Sequence, residues 1–163
     1  MLIDNSIKDY KICLKGGLDI LIVSAPYYKD ITENLKKGAK EVLTKFKIKY
    51  DEIHVPGALE IPTAINLTRE NFSGFIALGC VIRGETSHYD SVCTNSSAGI
   101  SRLGLQGVCI GNGILNVENS EQAIVRADPF GKNVGGNAAL AVLTLLQIKQ
   151  NSINIQKKVT RSK

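Results

Sequence analysis

In this 163-residue chain, residue types and spacing come closest to chemistry between Gly79 and Asp90. The stretch reads Gly79-Cys80-Val81-Ile82-Arg83-Gly84-Glu85-Thr86-Ser87-His88-Tyr89-Asp90: an apolar run of strand character, a glycine turn, and a polar segment that opens a helix. Backbone N–H groups of Gly84, Glu85 and Thr86 would stand at the helix start, where unpaired donors and the helix dipole favour an anion. The same residues also suit a plain strand-to-helix turn with Thr86 as N-cap. His88 falls on the first turn of that helix, and an imidazole titrates near neutral pH and passes protons either way. The other histidine, His54, lies inside a strand beside Val55 and reads as structural.

Other candidates follow strand-like runs. Glu60 closes Val55-Pro56-Gly57-Ala58-Leu59-Glu60, where a carboxylate can accept hydrogen bonds from a hydroxylated ligand or simply sit at a helix start. Tyr27 and Tyr28 offer flat faces for stacking a heterocycle. Arg126 suits bidentate contact with phosphate, or the capping of its own helix's carbonyls. No GxxxxGK[ST] loop is present, and Gly111-x-Gly113 is too short for a dinucleotide fingerprint.

These residues need a frame. Apolar runs with β-branched residues predict strands at Tyr10 to Leu14, Asp19 to Ser24, Ile48 to Val55, Gly74 to Ile82 and Gly107 to Leu115. Leu35, Ala39, Val42, Leu43 and Phe46 share one face of a helix over Asp30 to Phe46, with Asp30 and Glu33 as its capping pair. Further helices are expected over Ala58 to Arg69, with Pro62 in the first turn, and over Thr86 to Leu103. Two more follow, Ser120 to Ala127, capped by Asn119, and Asn133 to Ile155, where Gly135 and Gly136 would admit another backbone. Alternating apolar strands and helices predict a three-layer α/β sandwich on a mainly parallel, flavodoxin-like sheet, with ligands beyond the carboxyl ends of the strands.

Bulk properties narrow the function classes. The length suits one domain over residues 1–163, with an N-terminal arm or strand at 1–17 and a basic, flexible tail at 156–163. No apolar run reaches the roughly 20 residues of a membrane span. Met1 to Lys11 lacks an apolar signal core, so a soluble, cytoplasmic protein is expected and the sequons at Asn66, Asn71 and Asn95 stay unmodified. Cys13, Cys80, Cys93 and Cys109 form no CxxC pair and read as free thiols, and two histidines are too few for a multi-histidine metal site. The net charge of +5 is dispersed or terminal, with no aromatic-interleaved basic stripe of the kind that binds nucleic acid.

Three ordered motifs give the pattern a family. Val55-Pro56-Gly57-Ala58-Leu59-Glu60-Ile61-Pro62, Leu78 through Asp90, and Glu121-Gln122-Ala123 leading to Arg126-Ala127 resemble the 6,7-dimethyl-8-ribityllumazine synthases, collinearly from Leu18 to Leu146. The resemblance implies condensation of 5-amino-6-(D-ribitylamino)uracil with 3,4-dihydroxy-2-butanone 4-phosphate, late in riboflavin synthesis, releasing phosphate and water. It implies no cofactor and no metal. Under it, His88 is the acid/base residue, and Gly84, Glu85, Thr86 and Arg126 hold phosphate. Tyr27 stacks on the pyrimidine, Ala58, Leu59 and Glu60 hold the ribityl chain, and Cys80, Val81 and Ile82 read the pyrimidine edge. It also implies a pentamer-based homo-oligomer with sites between neighbouring subunits.

The chain departs from the family pattern in places. Pro26-Tyr27-Tyr28 stands where Arg-aromatic-Asn is usual, Asn112, which the resemblance puts next to the pocket among the substrate-binding residues, and Leu59 stand where phenylalanines are common, and Val134 stands where a lysine often occurs. The implied pocket is less aromatic and less basic, which predicts retained activity with altered substrate affinity. Two other readings fit the layered pattern: a flavin- or nucleotide-binding module, which has no need of His88, and a paralogue that assembles without catalysing.

Overall fold

The computed structural model describes residues 12–161, with side chains through residue 153. Four strands, β1 (Asp19–Ser24), β2 (Lys49–His54), β3 (Gly74–Ile82) and β4 (Ile110–Val117), form one sheet in the order β2-β1-β3-β4. All pairs are parallel, with Ile20 opposite both Tyr50 and Gly74, and Phe75 opposite Ile110. Parallel neighbours require crossovers through helices, so the strands alternate with α1 (Lys29–Lys45), α2 (Glu60–Thr68), α3 (His88–Leu105), α4 (Ser120–Ala127) and α5 (Val134–Arg161).

The period-2 alternation of strand side chains feeds two cores. Ile20, Ile22, Ile76 and Leu78 face α1 and α5, where Leu35, Leu43, Ala139 and Leu143 meet them. Leu21, Val23, Phe75 and Ala77 face the opposite layer, against Ile61 and Ile65 of α2 and Ile100 and Leu103 of α3. This is the three-layer, flavodoxin-like α/β sandwich expected from the sequence. Ile22 is completely buried, and cutting such a side chain back to alanine costs about 2–5 kcal/mol.

The expectation that every strand is apolar on both faces fails at β2. Its residues Lys-Tyr-Asp-Glu-Ile-His are exposed or half-buried, because β2 is an edge strand and its charges face solvent. Glu52 there accepts Lys36 at 3.1 Å and also pairs with Lys40. Of the strand expected at Tyr10 to Leu14, residues 10 and 11 lie outside the described residues and 12–14 are not in a strand. That segment instead runs along α5, with the Cys13 N–H donating to Gln147 Oε1 at 3.2 Å and the Lys15 N–H to Gln150 Oε1 at 3.1 Å.

Helix ends also shift. α1 starts at Lys29, so Asp30 lies in the first turn rather than at the cap, where its charge still complements the dipole. Thr32 Oγ1 ties that turn down by donating to Tyr28 O and Ala25 O. Asn119 caps α4 as expected, accepting from the Gln122 N–H at 3.0 Å. Asn133 does the same for α5 through the Gly136 N–H at 3.0 Å. Gly135 packs directly on the Leu35 carbonyl, where a β-carbon would collide, and so brings α5 against α1. α5 continues to Arg161, past the expected Ile155, since nothing in that stretch breaks a helix. Among the described residues no helix is long and apolar enough to cross a membrane.

Candidate active site at the carboxyl rim of the sheet

The chain leaves β1 toward β2 on one side and returns to β3 on the other, so the connections part company between β1 and β3. Parallel sheets open a crevice at such a point, outside the carboxyl ends of the strands. Here the crevice is a cavity of about 560 Å³. Ala25, Tyr27 and Tyr28 wall it after β1, and Pro56 through Glu60 wall it after β2. Cys80, Val81 and Ile82 form its floor, and Gly84, Thr86, His88, Tyr89 and Val92 close the remaining side.

Each wall follows from local sequence. The sheet pattern persists one residue past β1, where the Ala25 N–H donates to Leu78 O at 2.9 Å, and past β2, where the Val55 N–H donates to Ser24 O at 2.9 Å. Pro56 and Gly57 then stop the strand, and Glu60 begins α2 with its N–H donating to Gly57 O at 3.3 Å. The Glu60 carboxylate lies over Gly57, and Ala58 is buried beneath it. Pro62 occupies the first turn of α2, where a missing N–H costs nothing.

The β3–α3 turn differs from the expectation by two residues: α3 begins at His88 rather than Thr86. Thr86 stays in the turn, its Oγ1 accepting weakly from the His88 N–H at 3.4 Å. Among the described residues the N–H groups of Gly84, Glu85, Thr86 and Ser87 have no protein acceptor, so a run of free donors lies at the rim. The His88 ring is exposed on the cavity and makes no hydrogen bond among the described residues. His54 is different: its Nδ1 lies 2.8 Å from Ser24 Oγ, and it stands outside the cavity. Of the two imidazoles, His88 faces the cavity and His54 does not.

Tyr27 is 76% exposed, its ring edge-on to Tyr28 with centroids 5.0 Å apart. Burial, with smaller contributions from Tyr27 and Cys80, raises the Tyr28 phenol above its ordinary value. Burial also pushes the Cys80 thiol up to about 11, so at neutral pH Cys80 is a protonated, apolar floor group and no nucleophile.

Three residues singled out from the sequence do not line this cavity. Glu85 is exposed on the outer side of the turn. Asn112 is exposed on the edge strand β4, its Oδ1 accepting from the Ile114 N–H at 3.0 Å. Arg126 is half-buried on α4, Nη1 donating to Gln122 O at 3.1 Å. Conversely, Tyr89 and Arg83 were not singled out. Tyr89 lines the cavity, and the Arg83 guanidinium stacks on the Tyr89 ring at 4.1 Å between Glu118 at 2.7 Å and Asp90 at 3.1 Å. The only sequence signal for that arrangement is an arginine and a carboxylate bracketing a glycine turn.

Residues 17–150 match the 6,7-dimethyl-8-ribityllumazine synthase family. A protein of that name from Jannaschia sp. (strain CCS1) is 49% identical over 134 residues, covering 81% of this chain and 75% of that protein. The one from Zymomonas mobilis subsp. mobilis is 47% identical over 132 residues, covering 80% and 95% respectively. That of Novosphingobium aromaticivorans is 49% identical over 132 residues, with the same coverage. Fold, rim cavity and sequence agree, and the chain belongs to the 6,7-dimethyl-8-ribityllumazine synthase family.

Proposed function

We propose that this chain is a transferase of riboflavin biosynthesis that condenses 5-amino-6-(D-ribitylamino)uracil with 3,4-dihydroxy-2-butanone 4-phosphate to give 6,7-dimethyl-8-ribityllumazine, phosphate and water. The observation that carries the reading is the juxtaposition, in one cavity, of a free imidazole at His88, unpaired turn amides at Gly84 and Thr86, and an exposed aromatic face at Tyr27.

The uracil's amine attacks the butanone carbonyl and loses one water to form an imine, phosphate leaves by elimination to give an enol that tautomerises to a carbonyl, and the ribityl-bearing nitrogen closes the ring on that carbonyl with loss of a second water. Every stage moves a proton, and His88 is placed to take one from the attacking amine and return one to a departing oxygen. Such catalysis contributes roughly 10²- to 10⁴-fold. The rest of the acceleration comes from holding two substrates side by side. In this reading Tyr27 stacks on the pyrimidine, and the Cys80, Val81 and Ile82 backbone reads its edge. Ala58, Leu59 and Glu60 receive the ribityl hydroxyls, and the Gly84–Glu85–Thr86 turn receives the phosphate.

Arg126 completes that phosphate site from a neighbouring copy of the chain. It stands outside its own cavity, on a helix whose exposed face carries Ile124 and Val125 and is followed by an exposed Phe130, an apolar surface suited to a partner subunit. The assembly is a cytoplasmic, pentamer-based homo-oligomer of single-domain subunits. Mixing the purified full-length protein with both substrates and following lumazine absorbance tests the reaction. Product formation is expected, and its absence overturns the reading in favour of a binding module or a non-catalytic paralogue.

A further inference from the structure

Arg83 stands at the hinge between the strand that floors the cavity and the turn that carries the free amides. Its backbone N–H extends the sheet by donating to Val117 O at 3.0 Å. Its side chain folds back over the turn: Nε donates to Glu118 Oε2 at 2.7 Å and Nη1 to Asp90 Oδ1 at 3.1 Å, while the guanidinium plane covers Tyr89. Asp90 and Tyr89 belong to the first turn of α3, immediately after His88, and Glu118 belongs to the β4–α4 connection. One side chain therefore joins both ends of the turn to a third element.

The link extends further. The Glu118 N–H donates to Gln122 Oε1 at 3.0 Å, and the Gln122 carbonyl receives Arg126 Nη1 at 3.1 Å. Within the turn itself, Gly84 to Ser87 donate no backbone hydrogen bond among the described residues, and the weak His88 N–H to Thr86 Oγ1 contact at 3.4 Å is a slight internal tie. The Arg83 cation is already matched by two carboxylates, which hold it well in the charged range through the Glu118 and Asp90 hydrogen bonds. Two of its five N–H donors are committed to those carboxylates, which fixes the guanidinium's orientation, and Arg83 does not itself line the cavity.

We propose that Arg83 and Glu118 are a positioning pair that sets the β3–α3 turn, and with it His88, in register with α4 and Arg126. This rests on the anion-binding role given to the turn under the proposed function. An ordinary surface ion pair would leave the site unchanged when cut; a positioning pair would not, because misplacing a binding turn by even 1 Å costs up to about 10²-fold. Arg→Lys keeps the charge but loses the planar fork that spans two carboxylates and an aromatic face.

The test uses the full-length protein and its Arg83→Met, Arg83→Lys, Glu118→Gln and Arg83→Met/Glu118→Gln variants. Calorimetric binding of inorganic phosphate needs no turnover, and is expected to weaken about tenfold in Arg83→Met, less in Arg83→Lys, and no further in the double variant than in Arg83→Met. In turnover, the KM for the butanone phosphate should rise by a similar factor, the KM for the aminouracil by less than about twofold, with melting temperature unchanged. Wild-type phosphate affinity in Arg83→Met, additive effects in the double variant, or no phosphate binding by the wild-type chain overturns the proposal. Absence of turnover with a normal phosphate series would instead sink the proposed reaction and leave Arg83 in its role.

Discussion

Gly111 on β4 packs its bare α-carbon against the carbonyl of Ala138 on α5, leaving no room for a β-carbon. The Gly111-x-Gly113 pair thus has a packing origin: α5 lies close on the sheet because those positions lack side chains. A methyl group at 111 would push backbone against backbone, which cannot relax by turning a rotamer. Gly111→Ala should therefore destabilise the fold by about 1–3 kcal/mol, the usual cost of overpacking, and lower the melting temperature in a thermal scan. A Tm equal to the parent's would contradict the packing account.

Elements bounded by strong local signals were legible without the structure. β3 occupies Gly74 to Ile82 as expected, because an uninterrupted apolar run between glycines suits a central strand buried on both faces. α4 occupies Ser120 to Ala127 because Asn119 and Gln122 supply a local capping code. The misreadings arise where tertiary placement decides. The charges of β2 are tolerated at a sheet edge, and edge position is not a property of the segment itself. β4 begins at Ile110, not Gly107, because Gly107 takes a left-handed φ of 87° and belongs to the preceding loop. In the site, Tyr27, Glu60 and His88 could be placed on one rim because each follows the carboxyl end of a strand. Arg126 could not, since no spacing along a chain reports where α4 stands relative to a cavity.

His88 makes no ring hydrogen bond among the described residues, so replacing it should leave the cavity's shape intact. His88→Ala is expected to lower kcat about 10²-fold, the lower part of the range for lost acid/base catalysis, with both KM values nearly unchanged. Residual turnover follows from the two substrates still being held together while water and phosphate carry protons slowly. Steady-state rates by lumazine absorbance decide the matter; undiminished kcat would remove His88 from the chemistry.

Cys80 lies in the cavity floor with its thiol held up near 11 by burial. Since the thiolate is the nucleophile, and an ordinary thiol titrates at about 8.5, alkylation of Cys80 at pH 8 should be slower than that of an unstructured peptide thiol by about two orders of magnitude. The rate should climb with pH until about 11. Mass-spectrometric iodoacetamide labelling across pH 7 to 10 checks this, and rapid labelling of Cys80 at pH 7 would refute it.

Glu52 gives a pH dependence of opposite sign. Burial tends to raise its carboxyl, but hydrogen bonds from Lys40 and Lys36 outweigh burial and lower it from 4.5. A carboxyl lowered in the fold contributes stability above its unfolded value, and that contribution disappears as pH falls through the folded value. Glu52→Gln should thus cost about 1–2 kcal/mol at pH 7, more than an exposed pair because the Lys36 side chain is only 9% exposed, and the deficit should shrink as pH falls below the ordinary carboxylate value toward the lowered folded one. Urea unfolding of both proteins at pH 7 and pH 3.5 tests it: a constant difference between the two pH values would mean that the loss is one of packing rather than charge.

Arg126 bears on how many chains build one site. Its guanidinium caps its own helix and stays clear of its own cavity, so a role in phosphate binding requires another copy's cavity to approach α4. Arg126→Ala alone should raise the KM for the butanone phosphate about tenfold or more while sparing the aminouracil, as expected for loss of a charge-assisted phosphate contact. Co-assembly separates the arrangements. When Arg126→Ala and His88→Ala subunits are unfolded, mixed in equal amounts and refolded together, sites shared between neighbours are intact wherever an Arg126→Ala subunit contributes His88 and its His88→Ala neighbour contributes Arg126. Random mixing in a ring makes that about a quarter of all sites, so the hybrid should recover about a quarter of wild-type turnover at low butanone phosphate. If both residues serve a site within one chain, every hybrid site lacks one or the other, and activity stays at the mean of the two variants.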